Sequence, residues 1–277
     1  MAHYIHYHAR HVRAKPATDV SQDPWYATYQ TQDAGFRKPE YHITRRRSAP
    51  ASLIGNGDCI WLFSQIKSRW GDLPISLDAK IVVCQREDLR RSPEKSAAIY
   101  RYNACTGSKW FTLFDATGVL PSLWTVTQGG KVSRLLSKAD QHFGNAMRSL
   151  RKLVDAEPLV LLEKCLEDRI DNFISYRLTD GTQAAFSHCR HLMSQGQSVW
   201  WDRWSLPRRL VERREDISTP ALDQAIFSMI GKIRPIVWGI ETKDYGVPEC
   251  YGARERRFAE ELGLYRSVPV ERTARAV

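Results

Sequence analysis

The feature that most constrains the fold is an alternation of strand and helix signals over residues 170–270. Short apolar runs typical of buried strands alternate there with segments whose apolar residues recur at helical spacing. In chain order the predicted elements are strand 172–176, helix 183–195, strand 199–202, helix 220–233, strand 236–240, a helix from residue 251 and strand 265–270. This order predicts a parallel sheet with helices on both faces, because parallel neighbours need a crossover connection.

The carboxyl ends of these strands are where a parallel sheet usually binds ligands. Tyr176 and Arg177 stand at the end of the first strand, and Asp202 and Arg203 at the end of the second. The loop after the third strand leads into the helix that begins at Tyr251. We therefore expect polar side chains from three connections to meet at this edge of the sheet.

One acidic residue in the last helix is in an unusual place. The helical face at this point consists of Tyr251, Glu255, Phe258 and Leu262. Glu255 is thus a carboxylate on a side expected to be buried, where an ionised group needs a partner or a shifted pKa. Spacing alone favours a simpler interpretation, in which Glu255 lies at the edge of the apolar face and pairs with a nearby arginine.

The first half of the chain has signals of short strands separated by turns. The predicted strands are 60–66, 79–85, 97–102, 110–114 and 123–127. Strands at this spacing predict a small barrel or sandwich over residues 36–130. Residues 1–35, rich in His, Tyr and Gln without a clear period, are predicted to form a loosely ordered arm.

Residues 131–169 are predicted to form a helical connector. Apolar residues recur at three- and four-residue steps over 135–155, and Pro158 then begins a second helix that runs over 159–168. The predicted organisation is an arm (1–35), a β-rich sensor or regulatory domain (36–130), a two-helix connector (131–169) and an α/β domain (170–277).

The net charge of +10 lies almost entirely in the first 166 residues. A basic first half favours a polyanionic partner such as nucleic acid. The run Arg45–Arg47 and several tryptophans could form a base-stacking surface, or the rings could be core residues and the run an exposed loop. The tryptophans are Trp25, Trp61, Trp70, Trp110 and Trp124.

Cysteine spacing and hydropathy indicate the cellular compartment of the protein. The six cysteines never occur at CxxC spacing, and the histidines of the arm have no acidic or cysteine neighbours, so no metal site is expected. The longest apolar runs are too short to span a bilayer, and no secretory signal is visible. These patterns predict a cytoplasmic protein with reduced thiols and no membrane contact.

Four segments, in the right order and at the right spacing, resemble the TIR domain family. Phe173–Arg177 resembles its first strand, and Val199–Pro207 its second strand with the BB loop. Leu222–Ile226 resembles the next helix, and Tyr251–Glu255 resembles the Trp-Cys-x-x-Glu segment that carries the family's catalytic glutamate. Trp-Cys is replaced here by Tyr251-Gly252, and the usual last helix and strand are missing. The resemblance implies a flavodoxin-like fold for residues 170–277.

The resemblance also implies an activity, because many TIR domains cleave the bond between nicotinamide and ribose in NAD+. Glu255 would be the catalytic carboxylate. Nicotinamide leaves without needing a proton, and one carboxylate can stabilise the oxocarbenium-like transition state. NAD+ would be a substrate, and no cofactor is implied. Candidates for substrate binding are Tyr176, Arg177, Trp201, Asp202, Trp204 and Tyr251. Trp201, Asp202 and Trp204 are candidates for base stacking and loop anchoring, and for these three and Arg177 a structural role is at least as plausible as a contact with the substrate.

In this family a neighbouring protomer typically completes the site, so the resemblance implies a homo-oligomer. An assembly loop is predicted at Arg208, Arg209, Arg213 and Arg214. The implied role is an effector of prokaryotic antiviral defence that depletes NAD+, or makes an ADP-ribose signal, when a trigger reaches the N-terminal domain. The alternative is a non-enzymatic TIR adaptor whose basic N-terminal domain binds nucleic acid, a nucleotide signal or a partner protein. An adaptor has no need of Glu255.

Overall fold

The computed structural model describes residues 1–11, 39, 41–44, 49–91, 99–127, 129–136, 146, 150–177, 179–205, 220–243, 245–247 and 251–270. They form a mixed sheet followed by a smaller parallel sheet with helices on its faces, an α/β fold. The first sheet has ten strands: β1 His3–His11, β2 Tyr41–Thr44, β3 Cys59–Ser68, β4 Gly71–Asp72, β5 Ser76–Asp88, β6 Tyr100–Ala104, β7 Lys109–Trp110, β8 Trp124–Val126, β9 Val132–Arg134 and β10 Arg151–Leu153. The strands predicted for this half overlap β3, β5, β6, β7 and β8, although the prediction for 110–114 shares only Trp110 with β7. The sheet also includes β1, β9 and β10, so a small barrel or sandwich confined to residues 36–130 is wrong.

The order of the first sheet is β2-β6-β5-β3-β1-β10-β8-β9, with β4 paired to β3 and β7 to β5. A short helix, α1 (Ala49–Leu53), and two 3-10 helices, Leu89–Arg91 and Thr117–Ser122, connect its strands. β1 and β3 run parallel, and β3 and β5 run antiparallel.

β1 occupies the middle of this sheet, so the predicted loosely ordered arm is wrong for residues 3–11. β1 pairs with β3 along nine residues and with β10 on its other side. Ile5 is fully buried, and His6 is buried with its Nδ1 atom 3.0 Å from His42 Nε2. The contact between His6 and His42 allows a polar residue to be buried in β1. The sequence of β1 therefore lacks the alternation of apolar and polar residues that usually indicates a strand. Residues 12–35 lie outside the described residues.

The second helix of the predicted connector is found as α2 (Glu157–Leu166), and the predicted first helix is wrong at residues 151–153, which form β10. β9 and β10 both belong to the first sheet, and β10 pairs with β1 and β8. Leu150 and Leu153 belong to different hydrophobic cores, as expected for side chains on opposite faces of a sheet. In the predicted helix they would have shared one face. Within the predicted helix 135–155, Ala146 is helical, and residues 137–145 and 147–149 lie outside the described part of the chain.

The second sheet confirms the predicted parallel arrangement. Its strands are β11 Asn172–Tyr176, β12 Val199–Trp200, β13 Ile236–Glu241 and β14 Tyr265–Pro269, in the order β12-β11-β13-β14. The helices are α3 Thr182–Ser194, α4 Asp202–Ser205, α5 Pro220–Ile233 and α6 Tyr251–Glu261. Every strand pair is parallel. Side chains of β11 alternate between two cores, one formed with α3 and the other with α5 and α6.

The two sheets are packed directly against each other. Leu113 and Val199 exchange two backbone hydrogen bonds of 3.1 and 2.8 Å, which join the edge of the second sheet to the first half. Ile66 and Leu73 share a hydrophobic core with Phe186 of α3. The first half and the second sheet therefore share a common hydrophobic core. No helix in the described residues is long and apolar enough to cross a membrane.

Candidate active site at the carboxyl edge of the parallel sheet

Glu255 is buried at the carboxyl edge of the second sheet, with 6 % of its surface exposed. The Ser175 hydroxyl, near the end of β11, donates a hydrogen bond of 2.6 Å to Glu255 Oε2. The Tyr245 hydroxyl, from the loop after β13, lies 2.9 Å from Ser175 Oγ. These three residues, with Tyr176 and Asp202, are called the Glu255 site below.

The arginines beside Glu255 on α6 have other carboxylate partners. Arg254 pairs with Asp223 of α5 at 2.8 Å. Arg256 pairs with Glu260 at 2.8 Å and with Glu241 at 3.2 Å. The edge ion pair favoured by spacing alone is therefore wrong, and Glu255 instead accepts a hydrogen bond from a neutral hydroxyl.

The pKa of Glu255 is raised to about 8, and burial is the largest cause. The nearby carboxylates of Asp202 and Asp223 also raise this pKa, whereas the hydrogen bond from Ser175 and the charge of Arg254 lower it. The carboxyl group is therefore largely protonated in the free protein at neutral pH. A cation bound beside it would favour the ionised form and lower this pKa, so the site is suited to a positively charged ligand.

Tyr245 reaches Ser175 because α6 has a glycine in its first turn. A Cβ atom on Gly252 would lie 2.6 Å from Cε2 of the Tyr245 ring, well inside van der Waals contact. Ser175 and Tyr245 were not predicted as site residues. The available signal was Gly252 itself, because a glycine inside a helix often permits a close approach of another group.

We expect Gly252→Ala to displace Tyr245 and to weaken the Glu255 site, although alanine normally favours a helix. Gly231→Ala is the matched control, since Gly231 is also helical and its added Cβ would lie at an ordinary 3.7 Å from Phe258. Urea unfolding should show a loss of about 1–3 kcal/mol for Gly252→Ala and no loss for Gly231→Ala. Equal effects of the two substitutions would contradict the close approach.

Tyr176, Arg177 and Asp202 lie at the predicted edge. The Tyr176 hydroxyl donates to both carboxylate oxygens of Asp202, at 2.8 and 3.1 Å. Asp202 is close enough to Glu255 to raise its pKa. Arg177 is half-buried, with its guanidinium 3.7 Å from the carboxylate of Asp180. The structure thus brings these polar groups to one edge, and their contact with a substrate stays a prediction.

Tyr251 packs against α5 beside the Glu255 site. Its ring is stacked on Phe227 with 6.4 Å between centroids, and the Arg254 guanidinium lies 5.5 Å from the Tyr251 centroid. Burial, with Glu255 next to it, raises the pKa of Tyr251. One ring face is therefore occupied by Phe227, and the proposed role as an aromatic wall stays a prediction.

Trp201 and Trp204 are core residues, so their prediction as base-stacking groups is wrong. Trp201 is fully buried and packs on Phe186 of α3. Trp204 is 4 % exposed, and its indole N–H donates a 2.8 Å hydrogen bond to the carbonyl of Phe111. Stacking on a nucleotide needs an accessible ring face, and these two rings instead hold the second sheet to the first.

The described tryptophans that were predicted either to stack on bases or to be core residues differ in exposure. Trp61 is fully buried, whereas Trp124 is 42 % exposed with the Arg134 guanidinium 5.3 Å from its ring centroid. No group of three or more potential metal ligands is found in the part of the chain that the structure describes. Predicted residues outside that part are Trp25, Arg45–Arg47, Arg208, Arg209, Arg213 and Arg214.

No family model, curated protein or solved structure matches this chain. Its function must therefore be inferred from the geometry of the Glu255 site and from the resemblance of four segments to TIR domains.

Proposed function

We propose that the protein is an NAD+ glycohydrolase that cleaves the bond between nicotinamide and ribose, with Glu255 as its catalytic carboxylate. The observation that carries the proposal is the burial of Glu255 at the carboxyl edge of a parallel sheet, held by the neutral hydroxyl of Ser175. A carboxyl group removed from water without a directly bonded cation is costly for stability, which favours a functional reason for its presence.

The topology of the second sheet supports the resemblance on which this proposal draws. Numbered within that sheet, the strand order is 2-1-3-4. Flavodoxin-like sheets begin with the same order, and they bind ligands beyond the carboxyl ends of their strands. Ser175 is the penultimate residue of β11, and Asp202 and Tyr245 follow β12 and β13 at that edge.

The chemistry of NAD+ cleavage is compatible with one buried carboxyl group. The pyridinium ring of NAD+ is cationic, so its binding near Glu255 favours the ionised carboxylate. That carboxylate then stabilises positive charge on the ribose as the bond to nicotinamide breaks. Arg177 is our candidate for the diphosphate because a guanidinium matches phosphate oxygens, and Tyr251 is our candidate for a wall of the site.

We also propose that a second copy of the chain completes the site. The connection between α4 and α5 includes Arg208, Arg209, Arg213 and Arg214, the basic residues expected to take part in assembly. Activity that needs two copies rises more steeply than the protein concentration. In a cell, assembly in response to a trigger would then cause loss of NAD+.

The test is nicotinamide release by the purified full-length protein over a wide range of protein concentration, with and without forced clustering. We expect release from NAD+ that increases more than linearly with protein. NADH is the substrate control, since its reduced ring is not a cationic leaving group and should remain intact. A clustered, folded protein that releases no nicotinamide would contradict the proposal and favour the non-enzymatic adaptor.

A further inference from the structure

Strands β10, β8 and β9 form one end of the first sheet, and one of their two faces is exposed. Trp124 pairs with Arg134, and Val126 pairs with Val132. Lys152 pairs with Val126, and the Val154 amide donates a 2.9 Å hydrogen bond to the Trp124 carbonyl. Because side chains alternate along a strand, these paired residues share one face. The residues of this surface, called the Trp124 face below, are Trp124, Val126, Val132, Arg134, Lys152 and Val154.

The opposite face of the same strands is packed against the protein. Thr125 is fully buried, and Leu153 belongs to a hydrophobic core shared with α2. On the Trp124 face, by contrast, the exposed fractions are 42 % for Trp124, 48 % for Val132 and 51 % for Val154. The solvent face of an antiparallel sheet usually carries polar side chains. Apolar side chains grouped on an exposed face therefore indicate a binding surface.

The Trp124 face is positively charged as well as apolar. Its other side chains are Arg134 and Lys152, both exposed, and none of its positions is acidic. The Arg134 guanidinium lies 5.3 Å from the centroid of the Trp124 ring. Within the described residues, neither cation is held in an ion pair. The half of the chain that contains this face also carries nearly all of the net charge of +10. The expected partner is therefore anionic and offers apolar groups for the ring.

We propose that the Trp124 face binds a single-stranded nucleic acid. A base stacks on the exposed ring of Trp124 beside the Arg134 guanidinium, and the ammonium group of Lys152 pairs with a phosphate. A single strand offers both features, because its bases are accessible and its backbone is anionic. In a double helix the bases already stack on one another and leave no free ring face for a tryptophan. An acidic polypeptide supplies the charge but lacks the bases.

The dimensions of the Trp124 face limit the site to a short stretch of nucleic acid. Neighbouring strands lie about 4.8 Å apart, so the three strands span about 10 Å, which is room for about two nucleotides. Stacking on a tryptophan tolerates every base, so we expect little sequence preference. The proposal is independent of NAD+ cleavage, because the Glu255 site takes no part in it.

The test is fluorescence anisotropy of a labelled single strand of about twelve nucleotides, titrated with the full-length protein. Deoxyribose and ribose versions of the strand distinguish DNA from RNA. We expect Trp124→Ala to weaken binding about tenfold, because it removes the stacking surface. Leu161→Ala is the matched control, since Leu161 of α2 is also exposed, at 54 %, and lies outside the Trp124 face. It should bind as the wild type does. No binding by the wild-type protein would overturn the proposal.

Lys152→Gln tests the phosphate contact. Titrations at several salt concentrations should show that this substitution reduces the slope of log K against log salt by about 0.7, the value for one phosphate contact on a single strand. Lys232→Gln is the matched control, because it removes the same charge from an exposed lysine of α5 and should leave the slope unchanged. Equal slopes for the two variants would show that only net charge matters and would overturn the proposal.

A strand of abasic nucleotides tests the stacking directly, because it keeps the phosphates and lacks the bases. The wild-type protein should bind it more weakly than the normal strand, and Trp124→Ala should bind it as the wild type does. A Trp124→Ala protein that loses the same factor on both strands would show that the ring does not stack on a base. Displacement of the strand by a duplex or by polyglutamate, as readily as by unlabelled single strand, would also contradict the proposal. Thermal unfolding checks that each variant is folded.

Discussion

Glu255→Gln is expected to lower nicotinamide release by at least about 100-fold, because it removes the negative charge that stabilises the transition state. Glutamine has nearly the same shape, and its oxygen can still accept the 2.6 Å hydrogen bond from Ser175. The substitution thus tests the charge with little change in packing. Glu255→Ala should be at least as inactive. The measurement is the initial rate of nicotinamide release from NAD+ at saturating substrate and matched protein concentration.

Glu261→Gln is the control for this experiment, because Glu261 ends the same helix and is exposed. It should keep the wild-type rate. Thermal unfolding of each variant checks that any loss of activity is not a loss of folding. A Glu255→Gln protein that is folded and retains most of its activity would show that Glu255 is not the catalytic carboxylate.

The free energy of unfolding of the wild-type protein should decrease between pH 5 and pH 8 because of Glu255. Its pKa is about 8 in the folded protein and about 4.3 in an unfolded chain, so only the folded state holds this proton over that range. Stability therefore falls as pH rises, by up to about 1.4 kcal/mol per pH unit and on the order of 4 kcal/mol in total. Glu255→Gln has no such proton to lose and should be the more stable protein at alkaline pH.

The measurement is urea unfolding of both proteins at several pH values, expressed as the difference between them. The difference removes the contributions of other groups. One is His188, whose pKa burial lowers to about 4, so that it adds stability as pH rises between pH 4 and its unfolded pKa of about 6.5. A difference that does not change with pH would mean that Glu255 is ionised in the folded protein. This test is independent of enzymatic activity.

Much of the second sheet could be predicted because its signals are local. The strand at Asn172–Tyr176 and the helix that begins at Pro220 are visible as short apolar and periodic segments. The alternation of these elements then leaves a parallel sheet as the simplest arrangement. Four of the strand predictions in the first half succeeded for the same reason, whereas the one for 110–114 is a strand only at Trp110.

The errors occurred where distant parts of the chain determine the structure. β1 could not be recognised because its buried His6 is satisfied by His42, which lies 36 residues away. Residues 151–153 follow a helical period, but their backbone pairs with β1 and β8. Trp201 and Trp204 resembled binding residues at a strand end, yet the packing of the first half against the second buries both rings.

At Glu255, some properties follow from local sequence spacing and others follow only from tertiary contacts. The sequence by itself determined that a carboxylate lies on the apolar face of a helix, because helical spacing depends only on neighbouring residues. Only the tertiary structure decided its partners, since Ser175 is 80 residues away and Tyr245 depends on the space left at Gly252. The packing of α6 on the sheet removes water from the carboxyl group and thereby raises its pKa. Periodicity identifies a face of a helix, but not the groups that pack against it.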